Sequence, residues 1–218
     1  MKGLSFFLVL LFVHASRGQD QWKDVYKESA WEARDKWQKS NELIRYCQLK
    51  PGSVVADVGC HEGYMSFKLS QVVGDEGSVY SVDVKQEKLD KLMAHAKERN
   101  VGNIITVKGD YDNPKLSSNT FDAVIIIDTY HEMDDHDKIL GHIMNALKPG
   151  GRLLLCEPIA AERRDKPRED QEAKHELGIA HALSDLKKAG FTIIKQHDPF
   201  IDRQEKGDTM WLIVAGKK

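Results

Sequence analysis

Four carboxylates and one histidine carry most of the chemistry this sequence offers. Asp57, Asp83, Asp110 and Asp128 each close a successive apolar run. Gly59 stands two residues beyond Asp57, and Gly63 opens an amphipathic segment. A buried strand, a glycine turn and a helix start in succession let backbone approach a nucleotide-like ligand. The loop lacks the spacing that cradles a pyrophosphate, because His61 and Tyr64 stand where G-x-G-x-x-G after Gly59 would place glycine. A carboxylate at Asp57 repels phosphate and suits a cationic or hydroxyl-rich ligand. Those constraints describe a nucleoside without phosphates that carries a positive centre.

One carboxylate at a strand end is commonly a helix cap. Four at one edge of a sheet argue instead for a binding site. Asp83 lies twenty positions after Gly63, the spacing of a carboxylate that receives two ribose hydroxyls. Thr129-Tyr130-His131-Glu132 follows the fourth acid and should enter the cleft. His131 is a candidate general base for a hydroxyl acceptor, since an unperturbed histidine titrates close to working pH; its alternative role is to orient the loop or cap the following helix. Glu157 ends a later strand and is equally well read as structural. Arg163, Arg164 and Arg168 form a charged loop that is either an anion-binding lid or a solvated surface. Asp134, Asp135 and His136 read as an acidic helix start, so no metal is assigned.

Alternating strands and helices must position these groups. Val54–Asp57 precedes a helix over Tyr64–Val73, and Ser78–Asp83 precedes one striped by Leu89, Leu92, Met93 and Ala96. Ile104–Lys108 is a short strand, and Ala123–Asp128 is apolar throughout, the pattern of a central strand covered on both faces. Ile139, Leu140, Ile143, Met144 and Leu147 stripe a helix that should stop at Pro149-Gly150-Gly151. Arg152–Cys156 is the next strand. A helix striped by Leu177, Ala180, Leu183 and Leu186 follows, then a closing pair, Phe191–Gln196 and Met210–Ala215. Such alternation predicts a doubly wound α/β sheet with helices on both faces. Ligands then bind beyond the carboxyl ends of the strands, where strand order reverses.

Asp57-x-Gly59-x-x-x-Gly63, Val82-Asp83, Gly109-Asp110, the run from Phe121 to His131 and Leu147-Lys-Pro-Gly-Gly151 together resemble class I S-adenosylmethionine-dependent methyltransferases. The resemblance extends from Leu49 to the C-terminus. It departs at His61, where that family more often has glycine. It implies a mostly parallel seven-stranded sheet with the last strand antiparallel, and S-adenosyl-L-methionine as cofactor. It places the amino-acid part of that cofactor at Asp57, Gly59 and Gly63, and the ribose at Asp83. Asp110 and Tyr111 then meet the adenine, and Asp128 faces the methionine part or the substrate. With His131, Asp128 is the candidate catalytic residue. The Asn/Asp-Pro-Pro-Tyr motif of enzymes that methylate adenine or glutamine amide nitrogen is missing, which points to a small-molecule acceptor.

The 218 residues hold one domain, 49–218, behind a helical cap over 19–48 that includes Trp31 and Trp37. Lys2, the apolar run Leu4–Val13 and Ser16-Arg-Gly18 read as a signal peptide over 1–18. That implies export to a periplasm or exterior with no stable membrane insertion after cleavage; a cytoplasmic location is the alternative. A net charge of -2 offers no footprint for nucleic acid. Oligomeric state is not legible. Cys47, Cys60 and Cys156 lack metal-ligand spacing, and the last two should sit two strand spacings of about 5 Å apart, too far for a disulfide. Two competing functions stand beside methyl transfer: a cofactor-binding protein without activity, and an NAD(P)-dependent oxidoreductase, which would need the missing phosphate loop.

Overall fold

A computed structural model of the chain describes residues 28–203 and 206–217; the leader read from 1–18, with Trp22, Val25 and Tyr26, lies outside them. Among the described residues seven strands form one sheet: β1 (Val54–Val58), β2 (Ser78–Asp83), β3 (Ile104–Lys108), β4 (Phe121–Ile127), β5 (Leu147–Ile159), β6 (Thr192–Arg203) and β7 (Asp208–Gly216). Their order is β3-β2-β1-β4-β5-β7-β6. Strands β1 to β5 pair in parallel, whereas β7 runs antiparallel to both β5 and β6. Strand order reverses between β1 and β4, which sets the crevice for a ligand there.

Helices α1 (Glu28–Trp37), α2 (Ser40–Cys47), α3 (Tyr64–Val73) and α4 (Gln86–Glu98) precede β4 or flank its neighbours, and α5 (His136–Ala146), α6 (Arg168–Glu172) and α7 (Ile179–Lys188) follow it. Two apolar layers result. Leu43, Phe67, Leu69 and Leu92 pack on one face of the sheet with Val55 and Ile125. Ile139, Ile143, Ala182 and Leu186 pack on the other with Val124 and Ile126. Consecutive residues Val124, Ile125 and Ile126 are all buried because alternate side chains of β4 enter opposite layers. No described helix is long and apolar enough to cross a membrane.

Several element boundaries differ from the sequence reading, each for a local reason. Helix α5 ends at Ala146, and Leu147 already pairs with Phe121 as the start of β5. Leu147 is therefore buried as a strand residue, and Pro149-Gly150-Gly151 forms an irregular strand entry rather than a helix stop. β5 also continues past Cys156 to Ile159, so Glu157 is an interior strand residue opposite Trp211. Met93 is 42% exposed, so the buried stripe of α4 is Leu89, Leu92 and Ala96. Leu177 precedes α7, whose inward face carries Ala182 and Leu186 rather than Ala180. β6 runs to Arg203, far beyond Gln196, held by pairing across a register shift. Cys47, Cys60 and Cys156 are buried free thiols.

Candidate active site

A cavity of about 800 Å³ opens beyond the carboxyl ends of β1 to β4, within the size range of small-molecule sites. Asp57, Asp83, Asp110 and Asp128 all line it, with Gly59, Tyr111 and His131. Helix α1 closes one side through Ala30, Ala33, Arg34 and Trp37. Gly63 stands just behind the wall as the N-cap of α3.

The turn after β1 owes its shape to three residues in the left-handed region: Gly59 (φ 80°), His61 (φ 50°) and Gly63 (φ 99°). That conformation suits glycine and costs other L-residues of order 1 kcal/mol. His61 therefore adopts the backbone that explains why glycine is commoner at its position. The Gly59 N–H and Cys60 N–H both donate to the Val82 carbonyl, at 2.9 and 3.0 Å. His61 N–H donates to Asp83 Oδ2 at 3.0 Å, and Gly63 N–H to the Cys60 carbonyl at 3.0 Å. The amides that would cradle a pyrophosphate are thus already engaged within the protein.

The carboxylates differ in environment. Asp57 is buried, and Oδ2 accepts a 2.6 Å hydrogen bond from Ser66, itself reached by the Ser81 hydroxyl at 2.8 Å. Burial pushes the Asp57 carboxyl up to about 6, against the Ser66 bond that draws it down. Asp83 is fixed by two backbone donors, His61 N–H and Lys85 N–H at 2.9 Å. Its remaining lone pairs are available to hydroxyls. Asp110 is exposed and pairs with Lys115 at 2.9 Å; Tyr111 is 51% exposed, an aromatic surface left at the cavity edge.

Asp128 follows β4 in the left-handed region, with φ 56°. Its Oδ2 accepts from Arg203 Nη1 at 3.0 Å, and Arg203 grips Asp208 through Nε and Nη2 at 2.5 and 2.6 Å. Asp128 is therefore an anchored carboxylate on the cavity wall. Sequence reasoning did not find Arg203, which comes from a strand 75 residues away and whose neighbours carry no motif.

His131 sits in a 3-10 turn, Tyr130–Glu132, with its ring almost wholly buried. Nδ1 meets Glu157 Oε2 at 2.5 Å, and Nε2 lies 3.3 Å from Glu132 Oε1. Burial alone would lower the imidazole pKa, but the Glu157 charge and the bonds to both carboxylates raise it well above the ordinary value. The two carboxylates therefore favour the protonated ring, an environment that bears on both roles expected of His131, general base and loop orienter. Glu132 in turn is held down at about 2 by its bond to His131. Glu157 is completely buried and also accepts from the Thr129 and Tyr130 amides, at 2.7 and 2.9 Å.

The arginine loop does not form an anion-binding lid. Arg163 pairs with Glu176, Arg164 with Asp198 and Arg168 with Asp185, so each guanidinium already has its carboxylate. Asp135 caps α5, its side chain accepting from Lys138 N–H at 3.0 Å. Trp31 packs on Phe67 and Tyr64, while Trp37 reaches the cavity.

A family model described as a methyltransferase domain matches residues 49–212. The ubiquinone/menaquinone biosynthesis C-methyltransferase UbiE of Haemophilus ducreyi is 36% identical over 112 residues, which are 50% of this chain and 42% of that protein. The chain thus matches under half the length of this curated relative. Among solved structures, an S-adenosylmethionine-dependent methyltransferase from Aquifex aeolicus superposes with a TM-score of 0.72 at 23% identity, covering 85% of this chain and 93% of the other. The Haemonchus contortus phosphoethanolamine N-methyltransferase 2, bound to phosphomonomethylethanolamine and S-adenosylhomocysteine, gives 0.69 at 16% identity, covering 90% and 58%. At these identities the structures establish a shared fold.

Proposed function

The chain belongs to the class I S-adenosylmethionine-dependent methyltransferases, and from that membership we propose that it methylates a small organic molecule. The observation that carries this reading is the rim itself. Carboxylates at the ends of four strands face one cavity, while the glycine-loop amides are engaged internally. This acceptor set fits hydroxyls, an amino group and a cation, and disfavours a pyrophosphate; the oxidoreductase reading loses its main requirement. The name of the curated relatives, a quinone-biosynthesis C-methyltransferase, supports a small acceptor.

S-adenosylmethionine, when bound, supplies an electrophilic methyl group on a sulfonium. The protein's part is mainly alignment, since methyl transfer gains most from fixed geometry. Asp83, preorganised by two amides, would hold the ribose hydroxyls. Asp110 and Tyr111 would meet the base, and Asp57 with Gly59 and Gly63 the amino-acid end. Asp128 and His131 would face the acceptor.

Asp83→Ala tests the assignment. Hydrogen bonds to a charged group contribute roughly 1.5–3 kcal/mol, so affinity for S-adenosylhomocysteine should fall more than tenfold by isothermal titration. Unchanged affinity removes the ribose role. Stabilisation of the wild-type chain by NAD and not by S-adenosylhomocysteine would overturn the whole reading; binding without turnover in an acceptor screen would favour the inactive binder.

Asp57 adds a pH test. With its carboxyl near 6, it is neutral below that pH and anionic above it. A ligand ammonium prefers the anion, so S-adenosylhomocysteine affinity should weaken as pH falls from 7 to 5. In Asp57→Asn the dependence should flatten. A wild-type profile that is flat over that window would separate Asp57 from the ligand's charge.

A further inference from the structure

We propose that His131, Glu132 and His175 form a binding site for one first-row divalent cation, of the zinc, iron or manganese class, on the acceptor side of the cavity. Each offers one ligand atom, and these atoms all lie within 4.8 Å of one another. All three residues line the cavity. His175 arrives from a different segment, 43 residues beyond Glu132, and its Nδ1 already contacts Glu132 Oε1. The His131 and His175 rings are 5.9 Å apart at 73°, close to perpendicular. Ligands of one ion bonded at about 2.1 Å lie within about 4 Å of each other, so small side-chain rotations would close the set.

One further feature belongs to a metal site rather than to a casual hydrogen-bond cluster. Histidines that bind metal usually direct the other ring nitrogen to a carboxylate, which fixes the ring. His131 Nδ1 is held in that way by Glu157, which two backbone amides fix in turn. That leaves Nε2 directed at Glu132, and an ion that takes this nitrogen displaces its proton to water. Two imidazoles and one carboxylate suit borderline divalent ions better than magnesium or calcium.

Three protein ligands leave a position open towards the cavity, as in catalytic rather than structural sites. There the ion would take the oxygen or sulfur of an acceptor hydroxyl, enol or thiol. The O–H or S–H bond breaks, the bond to the ion forms, and the proton leaves to water. This acceptor role rests on the methyltransferase reading; binding of the ion does not.

The test uses the full chain, stripped with a chelator, dialysed and titrated with zinc chloride alone by calorimetry, with metal content measured by mass spectrometry. One ion per chain is expected. His175→Ala, a substitution at an exposed side chain, and Glu132→Gln should each weaken binding more than tenfold. No stoichiometric binding, or equal binding by wild type and His175→Ala, overturns the site. S-adenosylhomocysteine affinity of the wild-type chain is measured in parallel. Its loss would count against the methyltransferase reading and leave the ion site standing; its retention without ion binding would do the reverse.

Discussion

Glu157→Ala should lower stability by about 3–5 kcal/mol, the range for removing one partner of a buried charge pair. Glu157 is wholly buried, and three groups depend on it: the His131 ring and the amides of Thr129 and Tyr130. Alanine leaves a buried imidazole with only the half-exposed Glu132 as counter-charge and two donors without their acceptor. The neighbourhood gives little room for water to replace them, since Tyr130 and the register partner Trp211 are both fully buried. For a chain of this size each kcal/mol shifts the midpoint by about 2–4 °C, so thermal unfolding should move down by roughly 10 °C. Glu157→Gln keeps an acceptor for the amides and should lose less. A midpoint within 2 °C of wild type for Glu157→Ala would show that the carboxylate does not hold this loop.

Gly59→Ala comes next in expected size, and its effect falls on the ligand loop. Gly59 has φ 80°, and a Cβ placed there would meet Thr129 Cγ2 at 2.2 Å and Cβ at 2.7 Å. Rotating the threonine relieves the first contact and not the second, so the two strand-end loops must separate. Left-handed strain and overpacking each cost about 1–3 kcal/mol. Because the displaced loop carries the His61 amide that holds Asp83, S-adenosylhomocysteine affinity should fall by at least thirtyfold with a smaller change in midpoint. Gly59→Ala combined with Thr129→Ser removes the Cγ2 contact and should recover part of the loss. Full affinity in the single variant would mean that the loop stands clear of the ligand.

The strand-helix alternation was legible because each periodic run lies in local sequence, and the interior of every parallel strand was located. Ends were less legible. Leu147 continues the apolar stripe of α5 but is pulled into β5 by pairing with Phe121, a partner 26 residues away that periodicity does not report. The same holds for the length of β6, which depends on β7 along its side. Within the site, Asp57, Asp83, Asp110 and Asp128 could be named because one rule, acids at successive strand ends, brings them to one rim. Arg34, Arg203 and His175 obey no such rule.

Local order in the chain was enough to specify the class of fold, the edge of the sheet that receives a ligand, and a preference for a phosphate-free nucleoside with a positive centre over a dinucleotide. Those follow from short-range patterns: apolar runs, glycine spacing and the sign of charge at strand ends. The tertiary structure decided the electrostatics. Burial raises the Asp57 carboxyl, Arg203 anchors Asp128 from a strand remote in sequence, and the Glu157 charge raises the His131 imidazole against burial. Charge interactions in a buried site depend on distance and desolvation in space, and neither quantity is written in the order of residues.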